Sequence, residues 1–220
     1  MPLKIYGVLR SRASRVIWAA DELDIAYEHI PVIQARRLAD PIAPDAPLNT
    51  ASPEFLAINP NGKIPAIDDD GLVMHESLAI TLYLARKYGG PLAPNSLEEE
   101  SLMGMWALWA ATACEPHTVQ IIFHRVDYPE DKRDPAVVDA AIAALKKPLA
   151  VLDESLGEGT SFLISGRFTV ADINTAEVLR YAQPAPELLE QYPEVTAWLA
   201  ACQARPAFQE MMARRSTEPE

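Results

Sequence analysis

Gly89-Gly90-Pro91-Leu92-Ala93-Pro94-Asn95 divides the chain in two. Two glycines and two prolines within seven residues break helix and strand alike, because ordered Gly loses the most backbone freedom and Pro has no N–H to donate. On its N-terminal side, strand and helix signals alternate. Residues 3–7, Leu-Lys-Ile-Tyr-Gly, suit a buried strand, and residues 11–24 carry Val16, Ala19, Ala20 and Leu23 at helical spacing. Residues 25–32 read as a second strand, which an intervening helix would leave parallel to the first. After an irregular stretch, residues 64–67 and 72–74 flank Asp68-Asp69-Asp70-Gly71, whose Asp-Gly step signals a hairpin. Residues 75–88 return to helical periodicity, with Leu78, Leu82 and Ala85 on one face and Ile80 and Leu84 on another, so that helix should be covered on two sides. Beyond the divide no strand pattern appears. Four long helical stretches follow, 97–125, 135–156, 169–181 and 192–215. The order predicts a small α/β domain over residues 1–86, a linker over 87–96 and an all-α helical bundle over 97–220.

With 220 residues, 49% apolar and 23% charged, the chain has the composition of an ordinary globular protein; disorder and collagen-like repeats are excluded. Its formal net charge of −12 repels phosphate backbones and anionic lipid, which argues against nucleic acid or a membrane as partner. The charge is uneven. Residues 1–88 carry 9 basic and 11 acidic side chains, whereas residues 89–220 carry 10 and 20. Within the first segment, Lys4, Arg10, Arg12, Arg15, Arg36 and Arg37 make a basic corner. Cys114 and Cys202 are too isolated for a CxxC pair or a metal-ligand cluster, so reduced buried thiols and no metal are expected. The N-terminus lacks a basic-then-apolar leader, and no run approaches the ~18 apolar residues of a membrane span; a cytoplasmic location is the expectation.

Three short motifs carry chemistry. Ser11 and Ser14 lie where the first strand hands over to the first helix, and a hydroxyl there either caps the helix or steadies an anion. Asn59-Pro60-Asn61-Gly62-Lys63-Ile64-Pro65 is a turn running into a strand. A proline at a strand start suggests an edge that leaves the Ile64 backbone open to pair with an extended peptide. Glu76-Ser77 opens the next helix, a second helix N-terminus with a hydroxyl, suited to a carboxylate. In the second half, Thr169-Val170-Ala171-Asp172 forms an N-terminal capping box with Phe168 placed as a staple, a structural role for Asp172.

In this order and spacing the motifs resemble the glutathione S-transferases, over essentially the whole chain. The resemblance implies a thioredoxin-like first domain and an all-α second domain. Ile5-Tyr6-Gly7 followed by Arg10-Ser11 is similar to the serine-type phi, theta and zeta classes. It implies that Ser11 contacts the glutathione sulfur, that the backbone of Ile64-Pro65, with a cis bond, pairs with the cysteinyl unit, and that Glu76-Ser77 holds the γ-glutamyl end. Lys63, beside the Ile-Pro step, is the candidate for the glycyl carboxylate. The serine loop is about one residue shorter than in phi-type sequences, which leaves Ser14 and Arg12 as alternatives for the sulfur. Ser11-Arg12-Ala13 departs from the zeta pattern, and no cysteine stands in the loop as omega and beta classes require. The segment 33–52 is longer than the family's usual one. Leu102, Trp106, Trp109 and Ala113 share a face of the first long helix, which Glu115-Pro116 should kink. Trp106, Trp109 and His117 are the candidates for the acceptor pocket. The implied function is conjugation of the glutathione thiolate to small hydrophobic electrophiles by a homodimer, with glutathione as co-substrate. The alternatives are a non-catalytic binding module of the same fold and a cysteine-free glutathione-dependent disulfide reductase or peroxidase.

Overall fold

The computed structural model describes residues 2–157 and 161–218, which form two units, 2–90 with 206–218 and 91–205. In the first unit, β1 (Leu3–Tyr6), α1 (Ala13–Glu22) and β2 (Tyr27–Ile30) make a parallel β-α-β unit; β3 (Ala66–Asp69) and β4 (Leu72–His75) form an antiparallel hairpin, and α3 (Ser77–Tyr88) follows. The sheet order is β2-β1-β3-β4, with β3 antiparallel to β1. The Asp70-Gly71 turn has positive φ at both residues (55° and 91°), the geometry the Asp-Gly step selects.

Alternation along the strands sorts the core into two layers. Ile5 pairs with Ile67 and both are fully buried, while their neighbours Tyr6 and Ala66 pair on the opposite face. Tyr6, Ala66, Val32 and Phe55 form one cluster with Ile64 packed against it. Phe55 comes from α2 (Pro53–Ile58), a helix too short to show periodicity and absent from the sequence reading. Against α1 packs α3, and α1 is buried from Ala13 to Ala20. The far end of α3 is tied to β3 by Asp69, which accepts from Lys87 Nζ (2.6 Å), Tyr83 Oη (2.9 Å) and Tyr88 Oη (3.3 Å).

The last helical stretch breaks at Pro206, giving α9 (Pro193–Gln203) in the second unit and α10 (Pro206–Thr217) in the first. Phe208 of α10 packs edge-on against Trp18 at 4.9 Å, and Arg214 donates to Tyr27 Oη (2.9 Å) and to Asp21. These contacts, rather than helical character, decide where residues 206–218 belong.

In the second unit, α4 (Leu97–Trp109) and α5 (Glu115–Ile122) are joined by a π-helical turn at Ala110–Cys114, immediately ahead of Pro116. Where a kink was expected at Glu115-Pro116, the helix thus carries an underwound turn that accommodates the missing N–H. Helix α6 (Pro135–Gly157) packs on α5 and α9, α7 (Val170–Leu179) is buried along its whole length, and the short α8 (Pro186–Leu189) precedes α9. The capping box forms: Asp172 accepts from Thr169 N (2.8 Å), and its other oxygen accepts from Leu163 N (3.0 Å) and Trp198 Nε1 (2.9 Å).

Candidate functional site

Gly7 follows β1 with φ +139°, a conformation that L side chains rarely adopt. A Cβ built there would stand 2.9 Å from the Cβ of Ala13 and 3.2 Å from that of Ile64. The start of α1 and the Ile64-Pro65 step, some fifty residues apart in sequence, therefore meet at a position that only glycine fits. Ser11 lies in the intervening loop, half-buried; its Oγ donates to Val8 O (2.6 Å) and accepts from Ala13 N (3.0 Å). The hydroxyl thus serves the helix start, as a cap would. Ser14 is fully buried with its Oγ donating to Ser11 O (3.0 Å), and Arg12 is exposed.

The Ile64-Pro65 bond is cis. The edge expected there is corrected by the sheet order: β3 is an interior strand, flanked by β1 and β4, and its pairing begins at Ala66. Pro65 stands just outside the ladder, where its missing N–H costs nothing, and the Ile64 peptide is outside it too. The preceding turn is built on buried Asn59, whose Nδ2 donates to Lys63 O (2.7 Å) while Oδ1 accepts from Asn61 N (3.1 Å). The Lys63 side chain is exposed. Glu76 has φ 72° and ψ 101°, a strained setting for a residue with a Cβ, and its side chain is exposed. Ser77, the first residue of α3, is buried, and its Oγ accepts from Arg15 Nη1 at 3.1 Å.

The Arg15 side chain is 1% exposed, and this contact ties α1 to the head of α3. Because a guanidinium only donates, it occupies a lone pair of Ser77 and leaves the Ser77 proton to be donated elsewhere. The sequence signal for Arg15 lies in its setting, since a helix apolar on most faces has no dry place for a lone cation. The long 33–52 segment is closed on itself: Ile33 bridges to Asn49, whose buried amide donates to Pro41 O (2.9 Å) and Pro47 O (2.8 Å). Arg36 and Arg37 are exposed on it. In the second unit Trp106 is buried and packs edge-on against Trp109 at 5.2 Å, while His117 is half-buried on α5. Cys114 and Cys202 are both buried, and burial pushes the Cys114 thiol up to about 12.

Residues 5–92 match the family described as "Glutathione S-transferase, N-terminal domain", and residues 112–206 match "Glutathione S-transferase, C-terminal domain". The chain belongs to the glutathione S-transferase family. Glutathione S-transferase 3 of Zea mays is 33% identical over 224 residues, covering 96% of this chain and 94% of its own length. Among solved structures, glutathione transferase F7 from Populus trichocarpa is similar at TM-score 0.82 and 28% identity, covering 97% of this chain and 99% of its own. The theta class glutathione S-transferase from Xanthomonas axonopodis pv. citri, solved with glutathione bound, is similar at TM-score 0.81 and 31% identity, covering 96% and 97%. This glutathione S-transferase is accordingly an enzyme of the transferase class, with the thioredoxin-like and all-helical halves that the family implies. No helix among its described residues is long and apolar enough to cross a membrane.

Proposed function

We propose that this transferase binds glutathione on its first unit, stabilises the thiolate with the Ser11 hydroxyl and adds it to small hydrophobic electrophiles. The observation that carries the reading is convergence: Gly7 brings the Ser11 loop against Ile64, and Arg15 joins the Ser11 helix to Ser77. In this reading the Ile64 peptide, held outside the ladder by cis-Pro65, pairs with the cysteinyl backbone. Ser77 donates to the γ-glutamyl carboxylate at the positive end of α3, Glu76 accepts from the γ-glutamyl ammonium, and Lys63 faces the glycyl carboxylate.

A free thiol of pKa ~8.5 is mostly protonated at neutral pH, and lowering it by about 2 units requires about 2.7 kcal/mol of preference for the anion. A hydroxyl donating to a charged sulfur supplies ~1.5–3 kcal/mol, and the helix terminus ~0.3–1 more. Ser11 is suited to this: Ala13 N–H already donates to its oxygen, which polarises the O–H, and rotation about Cβ–Oγ turns the proton from Val8 O to sulfur. The thiolate then forms the C–S bond at the electrophilic carbon, whose leaving group or displaced π electrons carry the charge away. Trp106, Trp109 and His117 are the proposed acceptor contacts. A second copy of the chain is the proposed cover for the exposed Leu97, Met105 and Leu108 of α4.

The test is Ser11→Ala. Conjugation to an activated aryl halide should fall at least tenfold in kcat/KM, with the pKa of the bound thiol raised by ~1–2 units. An unchanged rate and thiol pKa would remove Ser11 from the mechanism.

A further inference from the structure

Beyond α10, Glu218 turns back onto the Ser11 loop. Its two carboxylate oxygens accept from Leu9 N at 2.8 Å and from Arg10 N at 3.1 Å, more than two hundred residues away in sequence. Leu9 is 2% exposed, so the fork is set against a shielded stretch of backbone. The helix that delivers it is itself fixed, by Phe208 on Trp18 and by Arg214 on Asp21 and Tyr27.

The Leu9 bond bears on Ser11 through one peptide unit. Leu9 N–H and Val8 C=O belong to the same amide. Its N–H donates to Glu218, and its C=O accepts the Ser11 hydroxyl proton. An amide whose N–H is bonded to an anion is polarised, and its oxygen becomes the stronger acceptor. The carboxylate also holds the peptide plane in place. Both effects act in one direction.

We propose that Glu218 is a positioning residue for conjugation: acting through the Val8–Leu9 peptide, it biases the Ser11 hydroxyl toward Val8 O and away from the glutathione sulfur. The proposal rests on the assignment of Ser11. The other charged groups of the loop and α1 have their own places. Arg10 and Arg12 are cations of the loop, Arg15 bonds Ser77, and Glu22 accepts from Trp18 Nε1. On α10, Arg214 bonds Asp21 while Glu210 and Arg215 lie on the same helix, and on β2 the His29 ring bonds Gly7 O. Among the described residues Glu218 is the carboxylate bonded to the loop backbone.

The experiment is a double-mutant cycle on the full chain with Glu218→Gln, Ser11→Ala and both together. Its readouts are the thiol pKa of bound glutathione, from thiolate ultraviolet absorbance, and the pH profile of kcat/KM with an activated aryl halide. Glu218→Gln should lower the bound thiol's pKa by about 0.5 unit, a roughly threefold gain in kcat/KM on the acid limb. In the Ser11→Ala background the same substitution should shift it by less than about 0.2 unit. An unchanged or raised pKa in Glu218→Gln, including the case in which only the melting temperature moves, overturns the proposal. A full shift that persists without the Ser11 hydroxyl overturns it as well. If Ser11→Ala itself leaves the thiol pKa unmoved, the failure lies in the Ser11 assignment, and the two failures are told apart within one set of proteins.

Discussion

Replacing Gly7 by alanine tests the convergence on which the site depends. The added Cβ would stand 2.9 Å from the Cβ of Ala13 and 3.2 Å from the Cβ of Ile64, closer than side-chain carbons pack. Neither neighbour is the tip of a flexible side chain, so the clash is relieved only by moving backbone. Gly7 cannot yield, because its N–H donates to Ile30 O at 3.0 Å and its carbonyl is bonded by the His29 ring at 2.6 Å. The cost has two parts. Holding an L residue at φ +139° costs ~1–3 kcal/mol, and overpacking costs ~1–3 kcal/mol. Together they remove ~2–6 kcal/mol, a large share of the ~5–15 kcal/mol of a typical domain. Gly71→Ala is the matched control: its φ is +91°, but nothing lies within 4 Å of the added carbon, so it bears the conformational part alone. Urea unfolding of both variants, with unchanged m-values, should put Gly7→Ala below Gly71→Ala by ~1–3 kcal/mol. Glutathione affinity should fall for Gly7→Ala only, since the parts that must move carry Ser11 and Ile64. Equal losses of stability in the two variants would refute the claim that Gly7 is a close approach between the two parts of the site.

Two other substitutions probe separate links. Ser77→Ala removes the hydroxyl proposed to donate to the γ-glutamyl carboxylate. A bond to a charged group is worth ~1.5–3 kcal/mol, so Kd for glutathione by titration calorimetry should rise about tenfold or more; binding within twofold of the parent would remove Ser77 from the site. Asp172→Ala leaves the N–H donors Thr169 N, Leu163 N and Trp198 Nε1 without their carboxylate. At ~1–3 kcal/mol each, denaturant titration should show a loss of ~3–9 kcal/mol, with Asp172→Asn losing less because it keeps one acceptor oxygen; a loss below ~1 kcal/mol would contradict the buried network.

The sequence made the two-part fold legible because its signals there are local and redundant. The parallel unit follows from strand, helix, strand in order, the hairpin from Asp70-Gly71, and the capping box from Thr169 and Asp172 within one turn. What escaped lacks such signals. Six residues of α2 are too few to establish a period, and the break ahead of α10 is ambiguous in sequence, because a proline sits as comfortably at the start of one helix as after the end of another. The edge reading of Ile64-Pro65 failed for a related reason. A proline just ahead of a strand and one on its edge look alike until the strand order is known, and the long connection through residues 33–52 hid that order.

The site divides along the same line. Ser11, Ile64-Pro65 and Glu76-Ser77 are short motifs and could be read in place, whereas Arg15 and Glu218 take their meaning from partners 62 and more than two hundred residues away. The basic corner read from charge counting is the clearest case. Arg15 is buried on Ser77, whereas Arg12, Arg36 and Arg37 are exposed, so proximity in sequence did not give these cations one environment. A carboxylate from the far end of the chain lies on the Ser11 loop. Net charge over a stretch of sequence therefore says little about the field at Ser11. That field is set by which charges the fold brings to the loop backbone, and there Glu218, from the other end of the chain, meets the N–H groups of Leu9 and Arg10.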